Sequence, residues 1–490
     1  MSDLLTALAG FGPFPVLVVG DFMLDELVHG DASRLSPDAP VPVLTVDRIE
    51  RAAGGASNVA ACLAGLGGLV RCCGVIGGDG SGSHLRGALE AAGCETSDLV
   101  EDADRPTTVK RNLVGLAQHR HPQKMFRLDI ESSAPIAAST AAAIEARVRG
   151  AIAEVAAVCI EDYGKGVCTP ALCSLVIETA REAGVPVLVD PANRDCYARY
   201  AGATVMTPNR TEAARVCASL PGSPDDPADM ARALLERCEL DAIIITLDRH
   251  GALLLERGGE PVEVPTRQRN VYDVTGAGDM VLAAVAAARA HGVSWPDAVV
   301  LANAAAGLEV EQFGAHAIPL AVVTQEVLRA EVPQDGKVRT RRDLELELAA
   351  HREAGHRIVL TNGCFDVIHA GHVSYLRDAG NQGDVLVVGV NCDEQVAAMK
   401  GDGRPVYELA DRMAILSELQ CVDYVVPFDE PTAHDLIETL RPDLYVKGGD
   451  YEPEQINEYE FVRKLGISCR VLAHRPGLGS TDIVNRVKRG

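Results

Sequence analysis

Short β-rich runs alternate with helical patterns from the N-terminus to about residue 320, and this alternation constrains the fold more than any other feature of the chain. The runs PVLVVGD, VRCCGVIG, AAVCIEDY, VPVLVDP, ATVMTPN and DAIIITLD are interleaved with SNVAACLAGLG, PALCSLVIETAREAG and DMVLAAVAAARAHG. Such units join parallel strands, cover both faces of the sheet with helices, and put reactive side chains at the carboxyl ends of strands. The stretch VPQDGKVRTRR, with Pro, Gly, Asp and a basic run, breaks the pattern. It then restarts as DLELELAAHREAG, RIVLTNG, HVSYLRDAG and DVLVVGVN. We expect an α/β chain with a first domain over 1–330, a linker over 331–342 and a smaller Rossmann-like domain over 343–490.

Charge and composition narrow the function. A formal charge of −23 repels a phosphate backbone, so nucleic acid is not an expected partner. The 14 cysteines are scattered, some in apolar runs, and read as reduced core thiols rather than a disulfide framework. No basic n-region precedes the first strand, and MVLAAVAAA stops at Arg289, too short to span a bilayer. The expectation is a cytoplasmic protein with no membrane insertion.

No G-x-x-x-x-G-K-[ST] motif is present, so ATP at the first domain would not be held by a P-loop. The candidate is DVTGAGDM, placed directly before an apolar helix. Gly276, Ala277 and Gly278 would form an anion hole of backbone N–H groups at the helix start. Asp279, one turn away, could take the proton from a sugar hydroxyl as it attacks a γ-phosphate. The same residues also read as an ordinary cap, with Thr275 or Asp273 as the capping side chain.

Other elements accompany this turn. GDFMLDELVHGD puts Asp21 and Asp25 at the end of the first strand, and AGGASNVA offers Gly54, Gly55 and Asn58 to a polyol. TPNRTE gives Asn209 and Glu212, an acidic element suited to hydrated Mg²⁺.

In this order the motifs resemble the ribokinase-like (PfkB) carbohydrate kinases over roughly the first 320 residues. The resemblance implies a three-layer domain with Asp279 as base and Gly276 to Gly278 as anion hole. It implies Asn209 and Glu212 near Mg²⁺ and phosphates, with Glu212 acting through water. Thr246, Gly251 and Asn303 would lie about the ATP, with Asn303 near adenine. It also implies a β-lid from segments 31–50 and 106–127, often used for dimerisation. The second segment is basic, with Lys110, Arg111, His119, Arg120, Lys124 and Arg127, as suits a sugar already carrying a phosphate. Of these, Arg111 and Arg127 are taken as sugar-binding. Relatives often read Asp-Pro-Lys where this chain has Asp190, Pro191 and Ala192, so a lysine contact is absent or replaced there.

A second constellation is TNGCFDVIHAGH. The strand RIVLTNG ends in Gly363, followed by Cys364, Phe365 and Asp366. His369 and His372 flank Gly371 and fall on one face of a helix start. Two imidazoles beside a helix N-terminus could stabilise charge on an α-phosphate as it becomes five-coordinate. H-x-x-H also has metal-like spacing, but no further ligands follow at zinc-like spacing. The arrangement resembles the cytidylyltransferase-like nucleotidyltransferases from about 350 to the C-terminus. Supporting positions are Lys400 and Arg404 in KGDGRPV, Lys447 and Asp450 in YVKGGDY, and Ser480 and Thr481 in PGLGSTDIV; with Gly363, Cys364, Phe365, Asp366 and Gly371, all but Asp450 are the nucleotide- and phosphate-binding residues the resemblance implies.

A sugar kinase joined to a nucleotidyltransferase resembles the bifunctional heptose-7-phosphate kinase/heptose-1-phosphate adenylyltransferases of lipopolysaccharide-core synthesis. The resemblance implies phosphorylation of D-glycero-β-D-manno-heptose 7-phosphate at O1, then adenylyl transfer from ATP to heptose 1-phosphate with release of pyrophosphate. ATP is the substrate at both sites, Mg²⁺ the cofactor, and a homodimer through the lid the expected assembly. Another sugar or polyol phosphate, CTP in place of ATP, and a non-catalytic nucleotide sensor are the alternatives.

Overall fold

A computed structural model describes residues 3–116, 123–220, 222–267, 274–312, 314, 316–331, 337–353, 355–401, 403–449 and 452–472. The chain divides into two compact units, Ser2–Val327 and Leu328–Gly490 together with Met1.

The first unit is built on a nine-stranded sheet. From edge to edge its strands are Val262–Val264, Ala252–Glu256, Ala242–Thr246, Val205–Met206, Val187–Asp190, Ala157–Glu161, Phe14–Gly20, Gly68–Gly77 and Leu99–Asp102. All neighbours are parallel except the two pairs made by Ala252–Glu256. Phe14–Gly20 leads on to Gly68–Gly77 on one side and abuts Ala157–Glu161 on the other, so strand order reverses there and a crevice opens at the carboxyl ends. The central strands are buried on both faces, which explains why they read as continuous apolar runs. The helix Ala277–Ala290 is buried along Asp279–Ala288; its alanines let it pack closely against strands and neighbouring helices.

A four-stranded sheet, Pro42–Gly55, Phe22–Leu35, Thr108–Leu116 and Gln123–Ile130 in that order, lies apart from the large one. It includes described parts of both segments expected to form a lid. Its registers are definite: Asp25 sits opposite Lys110 and Glu26 opposite Arg111. Because side chains alternate along a strand, those two pairs face opposite sides.

The second unit holds a five-stranded, all-parallel sheet in the order Tyr424–Phe428, Val385–Asn391, Ile358–Gly363, Leu444–Gly448, Ser468–Leu472. Ile358–Gly363 is its switch-point strand, and its two apolar clusters are packed around Leu360 and Val387, and around Val359 and Val388. The described end of the segment read as a linker is not loose. Val338 bridges Val425 in parallel, the Arg339 N–H donates to the Val425 carbonyl, and the Arg339 guanidinium pairs with Glu347 at 2.6 Å.

All 14 cysteines are free. Among the described residues, no helix is long and apolar enough to cross a membrane.

Candidate functional site

The kinase-like site gathers at the carboxyl ends of the central strands. Gly276, at φ 92°, is the N-cap of Ala277–Ala290, which makes Asp279 the third helical residue. A Cβ on Gly276 would stand 2.3 Å from Glu309 Oε1, so the turn requires glycine for both space and backbone. Asp279 is buried, and both its oxygens are held: Asn58 Nδ2 donates to Oδ2 at 2.8 Å and the Tyr163 hydroxyl to Oδ1 at 3.0 Å. Burial pushes the Asp279 carboxyl up to about 6, against the lowering influence of Asn58, Tyr163 and Lys110. The negative charge of Asp279, with burial, raises the Tyr163 phenol well above its usual value and keeps it a donor.

Asp21 and Asp25, paired in the sequence reading, do different work. Asp21 accepts from the N–H groups of Tyr163 at 2.9 Å, Lys165 at 2.8 Å and Val167 at 3.2 Å. It therefore clamps the loop that carries Tyr163, which corrects its expected role as a sugar ligand. Asp25 faces the crevice with Oδ1 lacking a partner, and burial pushes its carboxyl up to about 6 while Lys110 opposes. Gly54 leaves room for it: a Cβ there would lie 2.5 Å from Asp25 Oδ1. Gly55, at φ 53°, caps the following helix Ala56–Gly65. Asn58 is turned to Asp279, so it positions a carboxylate where a sugar contact was expected.

The lid cations sort by strand alternation. Arg111 is committed to Glu26 at 2.6 Å, with Arg51 on the same carboxylate at 2.9 Å, on the side away from Asp25. The two guanidiniums, against the effect of burial, hold the Glu26 carboxyl below its usual value. This corrects the choice of Arg111 as a sugar ligand. On the Asp25 side are Lys110, whose Nζ lies 4.2 Å from the Tyr163 ring centroid, and Arg127, which pairs with Asp129 at 2.8 Å. Lys124 reaches Thr275 Oγ1 at 3.4 Å. Sequence reasoning named the two lysines but preferred the arginines; the strand register sets Arg111 apart and leaves Arg127 on the Asp25 side. His119, Arg120 and Asp273 lie outside the described residues.

Asn209 and Glu212 form a complete capping box on the helix Arg210–Cys217, each side chain accepting from the other's N–H, at 3.0 and 2.9 Å. Thr246 joins them through its bridge to Asn209. Gly251, at φ 95°, packs against the Val264 carbonyl, where a Cβ would come within 2.2 Å. Asn303 Nδ2 donates to that same carbonyl at 2.9 Å, so Asn303 shapes the wall there. Ala192, at the position where a lysine was looked for, is buried, and its N–H donates to the Tyr200 hydroxyl at 3.2 Å.

In the second unit, His369 is the N-cap of the helix Ala370–Gly380, and its Nδ1 accepts the Gly371 N–H at 3.1 Å. An accepting Nδ1 leaves the ring proton on Nε2, which can then donate to an anion. The His369 and His372 rings are 4.0 Å apart between centroids. Phe365 is buried at φ 46°, its ring beneath Gly363 and 5.5 Å from that of His372.

Asp366 is fully buried and accepts from Arg404 Nη1 at 2.5 Å and the Val406 N–H at 2.6 Å, with Lys400 Nζ at 3.6 Å. Overcoming burial, these groups hold its carboxyl below the usual value. Asp366 thus supports the loop that carries Lys400 and Arg404. Lys447, next to last in its strand, has Nζ 3.5 Å from the Asn362 carbonyl, and burial lowers its pKa. Arg412, which sequence reasoning missed, is entirely buried. It donates to the carbonyls of Cys364 and Tyr407 and pairs with Asp393, fixing the glycine turn. Asp450, Ser480 and Thr481 lie outside the described residues.

Comparison with known proteins agrees with this division. Residues 15–321 match the pfkB family carbohydrate kinase model and residues 360–486 the cytidylyltransferase-like model. The chain is 41% identical to the bifunctional protein HldE of Methylobacillus flagellatus over 98% of this chain and 97% of that one. It is 44% identical to HldE of Halorhodospira halophila over 98% of each chain. Among solved structures, phosphofructokinase-2 of Escherichia coli in complex with substrates and products superposes with a TM-score of 0.53 at 18% identity, covering 64% of this chain and 99% of that one. Ribokinase of Arabidopsis thaliana complexed with ribose and ATP gives 0.50 at 21%, covering 64% and 99%. Full-length likeness, two family matches and two separate sites lead to one conclusion: the chain belongs to the HldE family of bifunctional enzymes, heptose-7-phosphate kinase and heptose-1-phosphate adenylyltransferase of ADP-heptose synthesis.

Proposed function

We propose that Asp279 is the base of the kinase step. The observation that carries this is its setting: a buried carboxylate held on both oxygens at the start of a glycine-led helix, facing the crevice. Asp25, with an oxygen to spare, accepts from the sugar hydroxyls and orients O1 toward Asp279. Asp279 takes the O1 proton as O1 attacks the γ-phosphate of ATP, and the N–H groups of Ala277 and Gly278 meet the charge on the transferred group. Lys110, Lys124 and Arg127 share the Asp25 side of the lid and suit the 7-phosphate.

The residues present fit Mg²⁺: Asn209 and Glu212 offer only oxygen, and a capped helix start fixes them in place, as a cation bound largely through water requires. When bound with ATP, Mg²⁺ would neutralise charge on the β- and γ-phosphates. Thr246, Gly251 and Asn303 then border the nucleotide.

In the second unit His369 and His372 donate to the α-phosphate of ATP as the phosphate oxygen of heptose 1-phosphate attacks it, and Lys400, Arg404 and Lys447 neutralise the departing pyrophosphate. Ser480 and Thr481 extend that grip. No covalent enzyme intermediate is needed.

The assembly we infer is a homodimer through the lid, in the cytoplasm where ATP is supplied. Phe126, Leu128 and Ile130 alternate along one strand and are exposed, Phe126 at 64%, on the side opposite Asp25. Such an apolar strip suits a second copy.

The test separates the half-reactions on the full chain. ADP formation from ATP and heptose 7-phosphate should vanish in Asp279→Asn, while pyrophosphate release from ATP and heptose 1-phosphate persists. His372→Ala should do the reverse. Unchanged ADP formation in the first variant, or unchanged pyrophosphate release in the second, overturns the corresponding assignment.

A further inference from the structure

The two lid strands that carry its basic residues, Thr108–Leu116 and Gln123–Ile130, join the body of the kinase unit through the stems 105–107 and 131–134. One guanidinium ties these stems together. Arg105 Nη1 donates to the Ala134 carbonyl at 3.0 Å and Nη2 to the Ser132 carbonyl at 2.6 Å, and Nη2 also donates to the carbonyl of Lys165. Among the described residues no carboxylate pairs with Arg105, so its planar fork is given over to backbone.

Lys165 belongs to the loop Tyr163–Val167, which Asp21 clamps and whose Tyr163 hydroxyl holds Asp279. The Lys165 ammonium returns the connection, pairing with Glu131 of the second stem at 2.6 Å. Gly166, at φ 90°, lets that stem lie directly on the loop. A Cβ there would run into the Ala134 carbonyl and stand 3.3 Å from Arg105 Nη2, and the Gly166 carbonyl accepts the Ile136 N–H at 3.2 Å. The first stem is pinned independently: Asp79, the N-cap of the helix Gly80–Ala91, accepts from the Thr107 N–H at 3.0 Å and from its hydroxyl at 2.7 Å. Beyond this stem, Lys110 lies over the Tyr163 ring.

We propose that Arg105 is a positioning residue for the kinase step, fixing the root of the lid on the Tyr163 loop so that Lys110, Tyr163 and Asp279 keep one arrangement. A lid anchored at this point covers the sugar without shifting the loop that holds Asp279, and it keeps water from the γ-phosphate while O1 attacks. With the root loosened, Lys110 loses its place over Tyr163 and heptose 7-phosphate is held less well. Water then competes as the nucleophile: its oxygen bonds to the γ-phosphorus, the bond from that phosphorus to the ADP oxygen breaks, and the products are ADP, inorganic phosphate and a proton released to solvent. The inference rests on the reading of Asp279 as base and of the lid as the cover of the sugar.

The test follows ADP, inorganic phosphate and heptose bisphosphate together in the kinase reaction of the full chain. Arg105→Ala should raise the KM for heptose 7-phosphate by at least about tenfold and leave the KM for ATP within about threefold. It should also release inorganic phosphate in amounts comparable with the bisphosphate, where the wild type releases little. In the double variant with Lys110→Ala, the KM for heptose 7-phosphate should stay within about threefold of the worse single variant, because the same contact is lost either way. Arg105→Lys keeps the charge without the fork and should show a rise in KM of about threefold, which preserves the test if circular dichroism shows that Arg105→Ala does not fold. A fall in kcat with that KM unchanged and no inorganic phosphate released, as a merely structural loss would give, overturns the proposal. Fully additive KM effects with Lys110→Ala overturn it as well. Failure of the kinase reading appears separately, as unchanged ADP formation in Asp279→Asn.

Discussion

The Tyr163 hydroxyl donates to Asp279 Oδ1 at 3.0 Å, and the Lys110 ammonium lies 4.2 Å from the centroid of the same Tyr163 ring. One side chain thus links the lid to Asp279. Tyr163→Phe removes the donor but keeps the ring. A hydrogen bond to a charged group contributes roughly 1.5–3 kcal/mol, so kinase kcat should fall by about tenfold to a hundredfold. The KM for heptose 7-phosphate should stay within about threefold, with adenylyl transfer unaffected. Steady-state kinetics of the two half-reactions check this; an unchanged kcat would show that Tyr163 does not position Asp279.

Gly276 carries two constraints, its φ of 92° and the closeness of Glu309. Gly276→Ala must move the turn or the glutamate, and should lower kinase turnover by at least about a hundredfold through misplacement of Asp279 and the backbone N–H groups. Gly278→Ala, whose Cβ would meet Asp190 Oδ2 at 3.5 Å, should cost less. The order of the two variants in ADP formation is the observable.

The lid should respond by side. Lys110→Ala is expected to raise the KM for heptose 7-phosphate by about tenfold or more, with a weakened salt dependence. Arg111→Ala should leave that KM within about threefold but lower the Tm, because buried Glu26 loses one of its two guanidinium partners. Equal effects of both on KM would contradict the assignment of faces.

Asp366 gives a pH-dependent stability. Its folded pKa lies below the ordinary value, so the stabilisation is fully present above the unfolded pKa of about 3.9 and is lost as pH falls through the lower folded value. Asp366→Asn strands Arg404 and should cost roughly 3–5 kcal/mol near neutrality. The gap between wild type and variant should close as pH drops below about 3.9. Thermal unfolding of the full chain, read at the transition that removes adenylyl transfer, measures it.

If the exposed strip on the lid is where a second copy sits, Phe126→Glu should convert a dimer into a monomer in sedimentation at micromolar concentration. A wild-type monomer, or an unaltered variant dimer, would count against the lid interface.

Periodicity and punctuation were enough to read two α/β units and the glycine turns before their helices. These are local properties: strand and helix periods differ, and a helix start advertises its glycines and capping side chains. Roles that depend on which way a side chain points were not legible in the same way. Asp21 and Asp25 are four residues apart and looked equivalent; the loop Tyr163–Val167 claims one and leaves the other facing the crevice. Lys110 and Arg111 are adjacent, yet opposite faces of one strand separate them.

By itself the sequence determined the fold class, the order of the two units and the chemical vocabulary of each site. Tertiary structure alone decided the pairing of Glu161 with Asp190, the hold of Tyr163 and Asn58 on Asp279, and the burial of Arg412 beneath the glycine turn. The reason is physical. Hydrogen bonds and charge repulsion act over a few ångströms, and only a sheet with a fixed strand order brings residues from 48 to 221 positions apart within hydrogen-bonding range.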